Sequence, residues 1–143
     1  MRRSLLALAI FVFGICVPGL AADEPDKGRP KVAVLSERDI AETVGGKKAK
    51  ATTVEVTLEP GQQSVPHRHP GPVFGYVLEG EYQWAVDDQP VKTLKAGDTF
   101  YEPGGCLHRV SKNPSDRNRT RVLAVVLHPH DAKQLVIPEP AKK

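Results

Sequence analysis

Eight short runs of strand-forming residues, each closed by a turn signal, predict that this chain folds as an all-β protein. The runs are Lys31–Leu35, Thr52–Leu58, Val73–Leu78, Glu81–Val86, Val91–Leu94, Thr99–Tyr101, His108–Ser111 and Arg121–Leu127. Between them stand Glu59-Pro60-Gly61, His69-Pro70-Gly71-Pro72, Glu79-Gly80, Asp87-Asp88, Ala96-Gly97-Asp98 and Pro103-Gly104-Gly105. Pro fixes φ and withholds a backbone donor, while Gly and Asp supply the backbone freedom that a reversal needs. Short strands at such spacing predict a barrel or sandwich. Only Ser36–Val44 is predicted to carry a helical turn or two. No repeat and no internal domain boundary interrupts the pattern.

The N-terminus reads differently. Met1-Arg2-Arg3 is basic, Leu5–Val17 is apolar, and Pro18-Gly19-Leu20-Ala21-Ala22 leads to the first acidic residue, Asp23. A basic start, an apolar run of about a dozen residues and a small-residue exit describe a secretory signal peptide, too short for a span of roughly 20 residues. Cleavage after Ala21 places Gly19 and Ala21 at the small-residue positions, so residues 1–21 are read as a leader and the mature protein as exported, periplasmic or secreted. Residues 22–31 are polar and form a flexible lead-in, 32–137 a single domain, and 138–143 a frayed tail. Cys16 leaves with the leader, which leaves Cys106 alone and excludes an intramolecular disulfide. Stability must then come from one hydrophobic core.

Charge narrows the partners. Without Arg2 and Arg3, 18 Lys and Arg face 17 Asp and Glu, evenly scattered, which gives no footprint for nucleic acid. The cluster Arg117-Asn118-Arg119-Thr120-Arg121 is read as a solvated loop. After leader cleavage nothing points to a membrane.

Three histidines carry the chemistry. His67-Arg68-His69 follows a Gly- and Pro-punctuated segment, and so does His108. In an extended strand alternate side chains share a face, so His67 and His69 point together and Arg68 points away, in a structural role. With His108 from a neighbouring strand they form a set of three nitrogen donors. Such a set suits a divalent transition ion (iron, manganese, copper, nickel or zinc) better than calcium or magnesium. Tyr76, Trp84, Phe100 and Tyr101 are expected as core or cavity wall. Cys106 is expected to pack as a small apolar residue. His128-Pro129-His130 is a second H-x-H, expected on a surface loop.

The sequence resembles a small single-domain cupin. Gly61, His67, His69 and Gly80 fit the first cupin motif, and Gly97, Pro103, Gly105 and His108 fit the second, with Asn113 one residue late. The resemblance covers about Thr52 to Asn113. It implies a double-stranded β-helix, or jelly roll, with a small interior cavity. It also implies that residues 31–58 serve as the interface if the chain forms a homodimer. In one respect the pattern departs. The family's glutamate ligand falls on Val73, or on Phe74 under the longer spacing, and Glu79 and Glu81 flank a turn where they are expected to face solvent. The expected site is therefore three histidines with no carboxylate. An ion held by three neutral imidazoles keeps its full charge and favours an anionic or chelating small molecule. Cupin relatives with such sites include dioxygenases acting on chelating acids or enols, which makes a metal-dependent oxidoreductase the first expectation. A non-catalytic module binding a small molecule or metal, and a zinc-water hydrolase or lyase, use the same residues equally well. The sequence singles out no catalytic residue.

Overall fold

A computed structural model describes residues 28–140; the predicted leader (residues 1–21, with Cys16), residues 22–27 of the predicted lead-in and the last three residues lie outside it. Within these bounds the chain forms ten strands and no helix. They are β1 (Lys31–Val44), β2 (Lys47–Leu58), β3 (His67–Arg68), β4 (Val73–Glu79), β5 (Glu81–Val86), β6 (Lys92–Lys95), β7 (Thr99–Glu102), β8 (His108–Lys112), β9 (Thr120–Pro129) and β10 (Ile137–Pro138). Two five-stranded antiparallel sheets result, ordered β1-β2-β9-β4-β7 and β10-β3-β8-β5-β6.

Ser36–Val44 is strand rather than helix. Gly45 and Gly46 both take positive φ (59° and 73°), the backbone of a two-residue hairpin loop that matches strand twist. That turn folds β2 back along the full length of β1, and pairing overrides whatever local helical preference the segment has. The tail also differs from expectation. Ile137 and Pro138 pair with β3, Glu139 N donates to Pro66 O at 2.9 Å, and the Arg68 guanidinium grips Glu139 at 3.0 Å. The end of the chain is therefore stitched on at least as far as Glu139.

Strict alternation builds the core. Along β9 every second residue is buried, so Val122, Ala124, Val126 and His128 face inward. Leu58, Val77, Tyr82, Trp84, Val86 and Val122 form one cluster between the sheets; Val54, Val73, Ala124 and Val126 form another. Gly75 opposes Phe100, and a side chain at 75 would run into that ring. The missing Cβ lets Phe100 lie across β4 and stack near Tyr82 and Trp84, with centroids 5.6 and 5.7 Å away.

Asn113 is fully buried. Its amide nitrogen donates to Leu58 O, Glu59 O and Asn118 O at 2.8–3.1 Å, and its oxygen accepts from Ser115 N at 3.0 Å. The structure also accounts for its late arrival. Across the β5–β8 pair, Ala85 faces Val110 while Val86 faces His108, so Arg109 is an extra residue opposite no partner. A β-bulge absorbs the insertion, and Arg109 folds back to donate to Asp87 O and Gln89 O, each at 2.8 Å.

Candidate metal centre

His67 and His108 face each other directly across the β3–β8 pair, and His69 follows two residues after His67. Directly opposed residues share a face, as do residues two apart along a strand, so all three imidazoles converge. The ring centroids of His67 lie 4.8 Å from His69 and 4.9 Å from His108. One ligating nitrogen from each lies within 4.8 Å of the others. Two hydrogen bonds, both centred on Gly105, hold the histidine segments together. Gly105, at φ 77°, turns the second segment back so that its N–H donates to His69 O at 3.0 Å. Arg68 points away from the cluster, as alternation requires, and donates to Gly105 O at 2.8 Å.

The tautomers are set from outside. His67 Nδ1 lies 2.8 Å from Val65 O, and His69 Nδ1 lies 2.6 Å from Leu135 O. A carbonyl can only accept, so both Nδ1 atoms carry the proton and both Nε2 atoms are bare when the rings are neutral. Those Nε2 atoms stand 3.2 Å apart. Burial holds the rings neutral: it lowers His67, pushes His69 down to about 4 and His108 down to about 3. Two lone pairs at this distance repel unless a proton or a cation lies between them.

The sequence missed the fourth member of the cluster. Glu102, at the end of β7, is 1% exposed and reaches in from the opposite sheet. Its Oε1 lies 3.1 Å from His108 Nδ1 and its Oε2 3.5 Å from His69 Nε2. Trp84 Nε1 donates to Oε1 at 3.1 Å, and burial pushes the carboxyl up to about 7. Among the described residues, two buried side-chain atoms lack a hydrogen-bond partner: Glu102 Oε2 and His108 Nδ1. Both belong to this cluster. Orphaned buried acceptors cost about 1–3 kcal/mol each, and a metal ion would satisfy both together with the facing Nε2 pair. The donor set therefore fits a transition ion, although the expectation of a carboxylate-free surrounding is not met.

The remaining expectations fall out by position. Val73 is buried in the core, directly opposite Glu102 on the neighbouring strand. Glu79 pairs with Arg119 and Arg121, and Glu81 lies exposed near Lys95, so neither enters the cluster. Trp84 and Phe100 are core, whereas Tyr76 and Tyr101 lie exposed on the outer face. Arg117 and Arg119 are on an exposed loop, but Arg121 is drawn onto β9 by Glu55 at 2.8 Å. Cys106 is half-buried against the core, and its thiol is pushed up to about 11, chiefly by burial, with the Glu102 and Asp87 charges adding to the effect. His128 is buried and bonded to Thr52 Oγ1 at 2.9 Å, rather than looped out. His130 is exposed near Asp39, so the second H-x-H does not gather a ligand set.

The titrations give a signed prediction for the metal-free protein. Between their unfolded value of 6.5 and their folded values of about 4 and 3, His69 and His108 take protons only when unfolded, so acid destabilises. Glu102 acts oppositely between 4.5 and about 7, holding its proton only when folded. From pH 6.5 down to 4.5 these two imidazoles outweigh the one carboxyl by one proton, a net loss of roughly 1.4 kcal/mol per pH unit, and His67, also lowered by burial, adds to the loss in the same direction. Urea midpoints of metal-free protein should thus peak near pH 6.5 and fall toward pH 5. A flat profile across that range would contradict the assigned burial.

The comparisons agree with this architecture. The family model described as "Cupin domain" matches residues 54–126. No curated protein matches the chain. Among solved structures, an uncharacterized conserved protein with a double-stranded beta-helix domain from Klebsiella pneumoniae is 24% identical with a TM-score of 0.59, over 81% of this chain and 90% of that one. A rmlc-like cupin protein from Desulfovibrio desulfuricans is 23% identical with a TM-score of 0.56, over 79% and 95%. The DMSP lyase DddQ from Ruegeria pomeroyi is 20% identical with a TM-score of 0.59, over 80% of this chain and 54% of that one. At these identities the likeness is one of fold.

Proposed function

This chain belongs to the cupin domain family, and from that premise we propose that it is an exported, mononuclear metal-dependent oxidoreductase acting on a small chelating acid or enol. The observation that carries the metal is the pair of bare Nε2 atoms on His67 and His69, 3.2 Å apart with their Nδ1 protons committed to backbone carbonyls. His67, His69 and His108 hold the ion. Val65 O, Leu135 O and Tyr82 Oη fix the orientation of the three rings, the last at 3.4 Å from His108 Nε2. Nitrogen donors favour iron, manganese, copper, nickel or zinc over calcium and magnesium. A redox-active ion in this set supplies one-electron chemistry and a Lewis acid for a chelating substrate. The apolar walls around Val73, Ala124 and Val126 exclude water from the polar cluster.

Export is supported by the order of basic, apolar and small residues at the N-terminus, with the mature chain beginning at Ala22 or Asp23. One experiment tests the whole reading: protein purified from the envelope or medium of its own host, analysed for N-terminal sequence and metal content. Iron, copper, nickel or manganese near one per chain, with Leu5–Val17 absent, is the expected result. Zinc would move the chemistry to a hydrolase or lyase, and a chain with no transition metal would leave a binding module.

A further inference from the structure

We propose that Glu102 is a protein ligand of the same centre, supplying from β7 the carboxylate that position 73 lacks. The proposal rests on the reading of His67, His69 and His108 as a metal site. Val73 and Glu102 are directly opposed in the β4–β7 pair. Opposed residues have Cβ atoms about 4.5–5.5 Å apart on the same face of the sheet, so a carboxylate moved one strand over reaches the same interior point.

Two other roles for Glu102 fail on geometry. A carboxylate that merely orients a ligating imidazole accepts a ring N–H, yet His69 Nε2 has no proton to give because Nδ1 donates to Leu135 O. His108 Nδ1, although 3.1 Å from Oε1, makes no hydrogen bond to it. A purely structural carboxylate would have both oxygens satisfied, but only Oε1 is, by Trp84. What remains is a buried carboxylate oxygen without a partner, aimed at bare imidazole nitrogens, an arrangement that a shared cation completes at every donor together. The spacings agree. Donors about 2.0–2.2 Å from a common ion sit roughly 3.0–3.5 Å from their neighbours. The observed separations are 3.2 Å between His67 and His69 Nε2 and 3.5 Å from His69 Nε2 to the unpartnered Glu102 Oε2, with the three imidazole donors within 4.8 Å of one another.

The consequence is chemical. One carboxylate cuts the charge of a divalent centre to +1 and fills one of its positions. The centre then takes a neutral or monoanionic chelator in preference to a dianion, which narrows the substrate class.

The test is a cobalt(II) titration of metal-free wild type, E102Q, E102D and H67A, read by visible absorption and by the fluorescence of Trp84, the chain's only tryptophan. Gln preserves the acceptor for Trp84 and removes the charge. We expect E102Q to bind at least tenfold more weakly, with a changed cobalt spectrum, and V73E/E102Q to recover most of that loss. Should E102Q fail to fold, E102D, with its carboxylate withdrawn by one methylene, should show the same spectral change. Wild-type affinity and spectrum in E102Q beside a crippled H67A would overturn the role of Glu102 and leave the three-histidine reading standing. So would weakened binding with an unchanged spectrum, which would place Glu102 outside the coordination sphere. A wild type that binds no cobalt would overturn both.

Discussion

Alanine in place of His67 should leave the protein folded and lower its transition-metal affinity more than 100-fold, equivalent to at least about 2.7 kcal/mol. His67 is the central imidazole, with its ring 4.8 and 4.9 Å from the other two. Removing it leaves the remaining nitrogen donors on separate segments without the ligand between them, and two neutral nitrogens hold a divalent ion far less well than three. Folding should survive, because β3 is a two-residue strand held from outside by β10 and by the Arg68–Glu139 pair. His130→Ala is the matched control: that ring is exposed beside Asp39, and its loss should change affinity less than twofold. Calorimetric titration with zinc or nickel reads both. Retention of stoichiometric, micromolar binding by His67→Ala would show that the histidines are not the ligand set.

The largest effect on stability should come from Asn113→Ala. The side chain makes four hydrogen bonds from a fully buried position, tying the end of β2 to the loop that enters β9. Truncation removes the partner of the Ser115 N–H and one donor from each of three carbonyls, of which Glu59 O keeps Gln62 N, at a place water does not reach freely. At about 1 kcal/mol per net bond, with added cost for buried groups left unpaired, the loss should be on the order of 3 kcal/mol. In a domain of this size that lowers the melting temperature by roughly 10 °C. Asn113→Asp should fail similarly, since it keeps the acceptor for Ser115 but offers no donors to Leu58, Glu59 and Asn118. Thermal melts of metal-free protein measure the effect without interference from ligation. A shift under about 2 °C would mean that the two loops are held by other contacts.

Much of the molecule is written in local signals. Seven of the eight strand runs follow from period-two alternation between Gly, Pro and Asp clusters, and β4, β5, β8 and β9 lie within a few residues of their predicted limits. The eighth run, Lys31–Leu35, is only the start of a strand that continues to Val44. Alternation also aims His67 and His69 together and turns Arg68 outward, because side-chain direction in a strand depends only on sequence position. The spacing from Gly97 through Pro103 and Gly105 marks His108 as the third imidazole through the resemblance to the second cupin motif, and its approach to His67 depends on β8 pairing with β3. Where partners decide the outcome, the sequence stops short. Ser36–Val44 becomes strand because β2 pairs with it, and Ile137–Glu139 is held because β3 offers an open edge. Glu102 is the sharpest case. Alternation from Phe100 gives it the inward face of β7, but the predicted run ends at Tyr101, beside Pro103 and a turn. Its entry into the histidine cluster depends on β7 pairing with β4 and on one sheet packing over the other. Those contacts join residues 67, 69, 84, 102 and 108 across gaps in the chain that no local periodicity spans. Backbone alternation thus sets the common direction of His67 and His69, whereas His108 and the carboxylate are brought to them by sheet pairing and the burial it imposes.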